Sequence, residues 1–139
     1  MSRTLTALAA ATLVTLGVAA PASASASVDA QAPYYCNERG TWAEESWIPV
    51  YNVPGTWSAA CVLDRGAQSN AVRALQDSLN YCYGQGLAVD GEFGARTEAA
   101  LREVQKIIGV PADGEYGPQT RKAMRHYPVK TGTSCNRVP

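Results

Sequence analysis

The chain has 139 residues, with 12 lysines and arginines against 12 aspartates and glutamates, so its formal net charge is zero. This balance gives no basic surface for a nucleic-acid backbone or an anionic membrane, and neither is an expected partner. The length suits one small domain and leaves no room for a separate large catalytic domain.

The N-terminal segment, residues 1–26, has the layout of a secretory signal peptide. Arg3 precedes an apolar run over residues 5–20, and small residues then offer cleavage after Ala24 or Ala26. The apolar run is too short to span a bilayer comfortably. Cleavage leaves about 110 residues, and we expect a secreted protein with no membrane partner once the signal is removed.

The next segment, residues 27–60, differs in composition from the rest of the exported chain. It holds all three tryptophans with three tyrosines and three prolines: Trp42, Trp47, Trp57, Tyr34, Tyr35, Tyr51, Pro33, Pro49 and Pro54. The prolines predict a short, irregular N-terminal extension. Its rings are expected either to stack on sugars or to cover a small core. We favour the core, because a domain this small needs extra buried area.

Four cysteines, Cys36, Cys61, Cys82 and Cys135, lie in the exported part, where an oxidising compartment favours disulfides. We expect two bridges, but four cysteines allow three pairings and the sequence does not distinguish them. Their spacing matches no C-x-x-C pattern and the chain has one histidine, so no metal or cofactor is expected.

Three helices are predicted in the second half of the chain, over residues 70–81, 95–108 and 118–127. Ser69 and Asn70 are capping residue types ahead of the first apolar face. Gly109 is placed to end the second helix. Pro118 suits the first position of the third helix, and Pro128 ends its pattern.

An eight-residue phrase occurs twice, over residues 90–97 and 113–120, and each copy leads into a predicted helix. Its Asp-Gly pair favours a tight turn, because aspartate hydrogen-bonds nearby amides and glycine accepts a positive φ. Phe93 and Tyr116 directly follow the turns, and we predict that both are core anchors between the helices. The repeated phrase predicts a duplicated turn-helix unit.

These motifs resemble the three-helix type of bacterial peptidoglycan-binding domain that is found on many cell-wall hydrolases. The resemblance covers residues 63–127 and rests on the Val-x-x-Leu-Gln-x-x-Leu-Asn phrase from Val72, on both turn copies, and on Gln105. The expected fold is mostly α. It is a small three-helix domain over residues 61–139, built from a duplicated turn-helix unit, with an irregular disulfide-tied N-terminal extension over residues 27–60.

The resemblance implies a non-catalytic function. A small secreted protein of this family, either extracellular or associated with the cell wall, is expected to bind the glycan-peptide polymer peptidoglycan, with a separate wall-acting protein as a further expected partner. The alternative is a secreted interaction or inhibitor protein that keeps the fold without binding the wall.

Exposed polar groups of the two turns and helix starts are the candidate ligand-binding residues. They are Glu92, Arg96, Glu115, Gln119 and Arg121. If the two repeats are quasi-symmetric, these side chains lie close together. There they are able to hydrogen-bond the amides, hydroxyls and carboxylates of a glycan-peptide polymer. The alternative for each residue is a solvated surface position.

No catalytic residue is predicted. The one histidine, His126, falls at the end of the third predicted helix, where a contact with the helix C-terminus accounts for it. Glu44 and Glu45 are the pair of carboxylates to inspect for glycoside cleavage, but adjacent acids in an irregular segment are usually solvated.

Overall fold

The computed structural model describes residues 34–139. The predicted signal peptide over residues 1–26 lies outside this part. The described chain forms three α-helices: α1 Asn70–Tyr83, α2 Ala95–Ile108 and α3 Pro118–Ala123. Helix α2 has the predicted bounds, and α1 ends two residues later than predicted.

Seven β-strands accompany the helices, and they overturn the predicted fold class. The strands are β1 Tyr34–Tyr35, β2 Glu38–Trp42, β3 Ser46–Val53, β4 Thr56–Ser58, β5 Cys61–Val62, β6 Arg125–Pro128 and β7 Asn136–Arg137. The described chain is therefore mixed α/β rather than mostly α, and the segment expected to be an irregular extension forms four of the strands.

Strand β3 is central in a five-stranded sheet of order β2-β3-β6-β7, in which β4 also pairs with β3. Ser46, Ile48 and Val50 are buried at the alternate positions that share one face of a strand, and Pro49 is buried as well. The β2–β3 hairpin turns through Ala43 and Glu44, both at positive φ, 50° and 57°. Such turns usually carry Asn-Gly or Asp-Gly, so this hairpin had no turn signal in the sequence.

The third predicted helix is wrong in its second half. Helix α3 ends at Ala123, because Met124 is extended, with φ −78° and ψ 151°. The next residues form β6, which pairs with β3 and with β7. Tyr127, predicted on the helix, lies in β6 opposite Trp47. Sheet pairing with distant strands thus overrides the local helix pattern.

The main core lies among α1, α2, the two repeated turns and the segment that contains Cys61 and Leu63. The predicted anchors Phe93 and Tyr116 are confirmed as buried, at 1% and 0% exposure. They pack with Leu75, Leu79 and Leu101. A second, smaller cluster comprises Ile48, Val50, Ala59 and Val138, with Trp42 packed against it.

Two disulfides resolve the pairing that the sequence left open. Cys36 bonds Cys61, beside the parallel pair of β1 and β5. Cys82, near the end of α1, bonds Cys135 in the C-terminal tail. The first bridge therefore links the segment after β1 to β5, and the second fastens the C-terminal tail to α1.

The segment over residues 63–68 holds both repeated turns in place. Leu63 exchanges two backbone hydrogen bonds with Tyr116, both of 2.8 Å. Phe93 donates its N–H to the carbonyl of Ala67 at 2.8 Å and accepts from Gly66 at 2.9 Å. The two turns are thus fixed by one strand-like segment that leads into α1.

Candidate functional site

The first repeated turn is organised by a buried glutamine. Gln76, on α1, donates from Nε2 to Oδ1 of Asp90 at 2.8 Å and to the hydroxyl of Thr97 at 3.2 Å. Its Oε1 accepts the N–H of Gly91 at 2.9 Å. Gly91 has φ 81°, and a Cβ there would lie 3.1 Å from the carbonyl oxygen of Ser69, so the turn requires glycine.

The second turn repeats this arrangement with Gln105, on α2. Its Nε2 donates to Oδ1 of Asp113 at 2.7 Å and to the hydroxyl of Thr120 at 3.1 Å. Its Oε1 accepts the N–H of Gly114 at 2.9 Å. The two copies of the phrase therefore use their aspartate, glycine and threonine in the same way, each around one buried amide.

The Asp90 carboxylate is hydrogen-bonded within the first repeated turn. Its Oδ1 accepts the N–H of Glu92 at 2.9 Å as well as the Gln76 amide. The Glu92 N–H first, and then the Gln76 amide, lower the pKa of the Asp90 carboxyl below its usual value. Asp90 is therefore ionised at neutral pH and is a turn-forming residue rather than a proton donor.

Two adjoining cavities open beside the first turn. The smaller, about 240 Å³, is lined by Gln76, Glu92 and Thr97 among others. The larger, about 460 Å³, runs along α2. Leu87 and Arg96 line both cavities. We call the pair the turn groove, with residues 85–88 as one wall and residues 94–106 as the other.

Arg96 differs from the other cations of the turn groove in having no bonded partner. Arg102 binds Glu98 at 2.9 Å and the carbonyl of Ala112 at 2.8 Å. Lys106 binds Glu103 at 2.7 Å. Arg96 is exposed, and among the described residues it makes neither an ion pair nor a side-chain hydrogen bond. Its guanidinium is available to a ligand.

The structure brings together two of the five predicted site residues. Glu92 and Arg96 both line the smaller cavity of the turn groove. Glu115 and Gln119 occupy the equivalent exposed positions in the second copy, and neither lines the groove. Their role in ligand binding stays a prediction.

Arg121 was expected to be exposed, and this is wrong, because its exposure is 6%. The guanidinium lies over the ring of Trp42, with 5.2 Å from Cζ to the ring centroid. Its Nη1 donates to the carbonyl oxygen of Pro139 at 2.6 Å. Arg121 thus joins α3 to the β2–β3 hairpin and to the C-terminal residue.

A third cavity, about 490 Å³, lies on the other side of the same turn. Its lining is polar and includes Gln68, Asn70 and Arg73 together with Asp90 and Glu92. Two of these polar side chains already have hydrogen-bond partners within the protein. Asn70 donates to a carboxylate oxygen of Glu38 at 3.2 Å, and Arg73 donates to a backbone carbonyl. Glu92 therefore lines both this third cavity and the smaller cavity of the turn groove.

The residues considered for catalysis lie away from the turn groove. His126 is fully buried in β6, and its Nε2–H donates to the carbonyl of Arg121 at 3.0 Å. Glu44 and Glu45 are exposed at the hairpin and line a separate cavity of about 310 Å³ with Lys130. Within residues 34–139, no group of three or more histidine, cysteine, aspartate or glutamate side chains is placed to hold a metal ion.

The tryptophans of the predicted extension are mostly used for packing. Trp42 packs against the smaller core cluster, and Trp47 lies under the guanidinium of Arg39, 4.3 Å from Cζ to the ring centroid. Trp57 is 50% exposed beside Trp42. None of the three lines the turn groove.

In the described part of the chain, no helix combines the length and apolar character needed to cross a membrane.

Sequence reasoning did not assign a role to Gln76 or Gln105, and it missed Leu87, Arg102 and Lys106 as groove residues. A signal for the glutamines was present, because each follows an apolar core residue on a helix and precedes an Asp-Gly turn. Their separations from the aspartates differ, 14 and 8 residues, so the repeat spacing did not reveal them.

The chain is similar to one known protein family and to solved structures. Residues 68–124 match a family model described as "Putative peptidoglycan binding domain". The solved N-terminal domain of SleB is 40% identical, covering 45% of this chain and 85% of that chain, with a TM-score of 0.43. No curated protein matches the chain.

A second solved structure is a peptidoglycan-binding protein from Clostridioides difficile in complex with glutamine hydroxamate. It is 29% identical to this chain, with a TM-score of 0.46. The match covers 58% of this chain and 58% of that chain, so this chain spans somewhat over half the length of that protein.

Proposed function

We propose that this chain, which belongs to the peptidoglycan-binding domain family, is a non-catalytic module that binds bacterial cell-wall peptidoglycan. The observation that carries the proposal is the family match over residues 68–124, which spans both repeated turns and the whole turn groove. The solved protein from Clostridioides difficile is likewise described as peptidoglycan-binding.

The turn groove is the proposed site of contact. It is a concave surface lined by apolar groups such as Leu87 and Ala100 and by polar groups of both charges, as small-ligand sites commonly are. Glu92 and Arg96 reach into it from the turn and from the first turn of α2. Amides and hydroxyls of the polymer would hydrogen-bond Glu92, and its carboxylates would bind Arg96.

A non-catalytic role is supported by how the reactive groups are used. His126 is the one histidine of the chain and is buried, so it does not reach a polymer held at the surface. Asp90 lines the groove but is bound by its own turn and ionised. Glycoside cleavage needs a protonated carboxylic acid beside a second carboxylate, and Asp90 does not meet the first condition.

The proposed place of action is outside the cytoplasm. Both disulfides, Cys36–Cys61 and Cys82–Cys135, fit an oxidising compartment, where such bonds form and persist. The signal-like segment over residues 1–26 agrees with export. A separate wall-acting protein would act beside this module, which we propose supplies attachment alone.

Co-sedimentation tests the proposal. The oxidised chain is mixed with purified, protein-free peptidoglycan, with chitin and cellulose as controls, and the supernatant is assayed for released sugars and peptides. We expect selective pelleting with peptidoglycan and no release. Pelleting with release would instead identify a hydrolase, and equal recovery in all supernatants would point to a protein partner.

A further inference from the structure

The larger part of the turn groove has a cationic wall. Arg96, Ala99, Glu103 and Lys106 recur at helical spacing along α2 and line the cavity together with Arg102. The one carboxylate that lines the larger cavity is Glu103, which binds Lys106. Glu98 lies outside its lining and binds both Arg102 and Arg65. Asp90 and Glu92 line the smaller cavity. Three cations thus line the larger cavity with one carboxylate, and Arg96 is the cation without a partner.

The geometry of an arginine defines the ligand group that it prefers. A guanidinium presents a planar fork of N–H donors that matches both oxygens of a carboxylate, with stronger, charge-assisted hydrogen bonds than a neutral acceptor provides. Arg96 lies where the two cavities meet, since it lines both of them. An anionic group bound there would lie within the groove rather than at its outer edge.

The uncharged residues that line the larger cavity are mostly small or apolar. Ala99 and Ala100 contribute from α2, and Gly86 and Leu87 contribute from the facing loop. The volume of about 460 Å³ lies within the usual range for small-ligand sites.

These observations discriminate between the two components of the polymer. The glycan strand consists of N-acetylated amino sugars joined to the peptide stems through amide bonds, and it carries no charge of its own once the stems are attached. The stems are short peptides rich in alanine, and their free carboxylates supply the negative charge. The larger cavity, which is lined by three cations and one carboxylate, is complementary to the free carboxylates of the stem.

We propose that the larger cavity of the turn groove binds the peptide stem, with a free stem carboxylate held by Arg96 and the neighbouring cations Arg102 and Lys106 strengthening the attraction. This inference rests on the proposed function, because it names the part of the polymer that the same site recognises. The glycan is then the carrier of the stems rather than the group that determines affinity.

Four ligands test the inference with the oxidised chain. Sedimentation uses intact peptidoglycan and peptidoglycan whose stems have been removed enzymatically at their amide link to the sugar. Calorimetry uses a synthetic stem peptide with free carboxylates and its carboxamide form. We expect at least tenfold weaker binding to the stripped polymer than to the intact one, and at least tenfold weaker binding to the carboxamide than to the free acid.

The outcomes separate this inference from the proposed function. Equal pelleting with intact and stripped polymer would overturn stem recognition and leave wall binding standing. Absence of pelleting with intact peptidoglycan would overturn wall binding. The two peptides then still decide the inference, since preference for the free acid supports a carboxylate site, and equal or undetectable binding of both overturns it.

Variants locate the effect on α2. Arg96→Gln is expected to weaken binding of the free-acid peptide about tenfold and to abolish the difference between acid and carboxamide. Arg137→Gln is the matched control, because Arg137 is exposed on β7 and does not line the groove. Both positions are exposed, so thermal unfolding should match the parent chain. Unchanged acid preference in the Arg96 variant would overturn the assignment.

Discussion

Gln76 on α1 and Asp90 in the first repeated turn are joined by a hydrogen bond of 2.8 Å from the side-chain amide to the carboxylate. Gln105 and Asp113 are joined in the same way at 2.7 Å. In each pair the glutamine is buried and the aspartate is exposed. The core amide therefore sets the shape of the surface turn, and the first of these turns borders the groove that we assign to the ligand.

Replacing Gln76 with leucine should lower the free energy of unfolding by about 2 to 4 kcal/mol, because Gly91 N–H and the Asp90 carboxylate lose a buried partner. Urea unfolding measures the change. Gln119→Leu is the matched control at an exposed position, where the change should stay within about 0.5 kcal/mol. Equal stabilities for the two variants would refute the role assigned to Gln76.

Replacing Arg121 with methionine should reduce stability without reducing wall binding by the folded protein. The variant loses the hydrogen bond to Pro139 and the contact of the guanidinium with Trp42, for an expected loss of about 1 to 3 kcal/mol. Lys122→Met, at the exposed neighbouring position, is the control. A stable Arg121 variant that fails to pellet would restore Arg121 to the ligand site.

Stability should fall as the solution is acidified below pH 6.5, because of His126. Burial lowers the pKa of His126 from 6.5 to about 4, although its hydrogen bond to the Arg121 carbonyl acts in the opposite direction. The unfolded chain therefore takes up the proton first, and stability is lost between pH 6.5 and about 4. Between pH 6.5 and 5 the expected loss is about 1 to 2 kcal/mol.

His126→Gln provides the comparison for this pH effect. Glutamine keeps an N–H donor for the Arg121 carbonyl but does not titrate, and the chain has no second histidine. Urea unfolding at pH 6.5 and at pH 5 should show the loss in the parent chain and a flat response in the variant. The same slope in both proteins would assign the effect to other groups.

The disulfide Cys82–Cys135 should contribute more to stability than Cys36–Cys61, because it closes the longer loop, with separations of 53 and 25 residues. Chain entropy predicts losses of about 4 and about 3.5 kcal/mol when the paired cysteines are replaced by serine. Denaturant unfolding of the two double variants measures the difference.

Limited proteolysis distinguishes the two bridges further. Without Cys82–Cys135, the tail over residues 129–139 should become the first site of cleavage, because that bridge fastens it to α1. Unchanged cleavage of the tail would mean that β7 and the Arg121 contact with Pro139 hold it by themselves.

The helical half of this fold was largely predictable, because its signals are local. Ser69 caps α1 by accepting the N–H of Val72 at 3.3 Å, and Gly109 ends α2 at φ 75°, as their residue types predict. The sheet was not predictable in this way. The β2–β3 hairpin turns through Ala43 and Glu44, which carry no turn signal, and β6 forms only because distant strands pair with it.

The candidate site was half predictable for a related reason. Glu92 and Arg96 follow the Asp-Gly turn in sequence, so their place beside it could be inferred locally. Arg121 could not be placed, because its burial depends on Trp42 and on the C-terminal Pro139. The groove wall at Leu87 likewise depends on Asn80, whose side chain accepts the Leu87 N–H and donates to its carbonyl at 2.8 Å.

The most direct test of the turn groove as the peptidoglycan site is nuclear magnetic resonance mapping with soluble peptidoglycan fragments. We expect concentration-dependent shifts of the backbone amides of Leu87, Arg96 and Lys106, which line the groove, and an unchanged indole N–H of Trp57, which does not. Shifts confined to Trp57 and the strands around it would contradict this assignment and move the site to the outer face of the sheet.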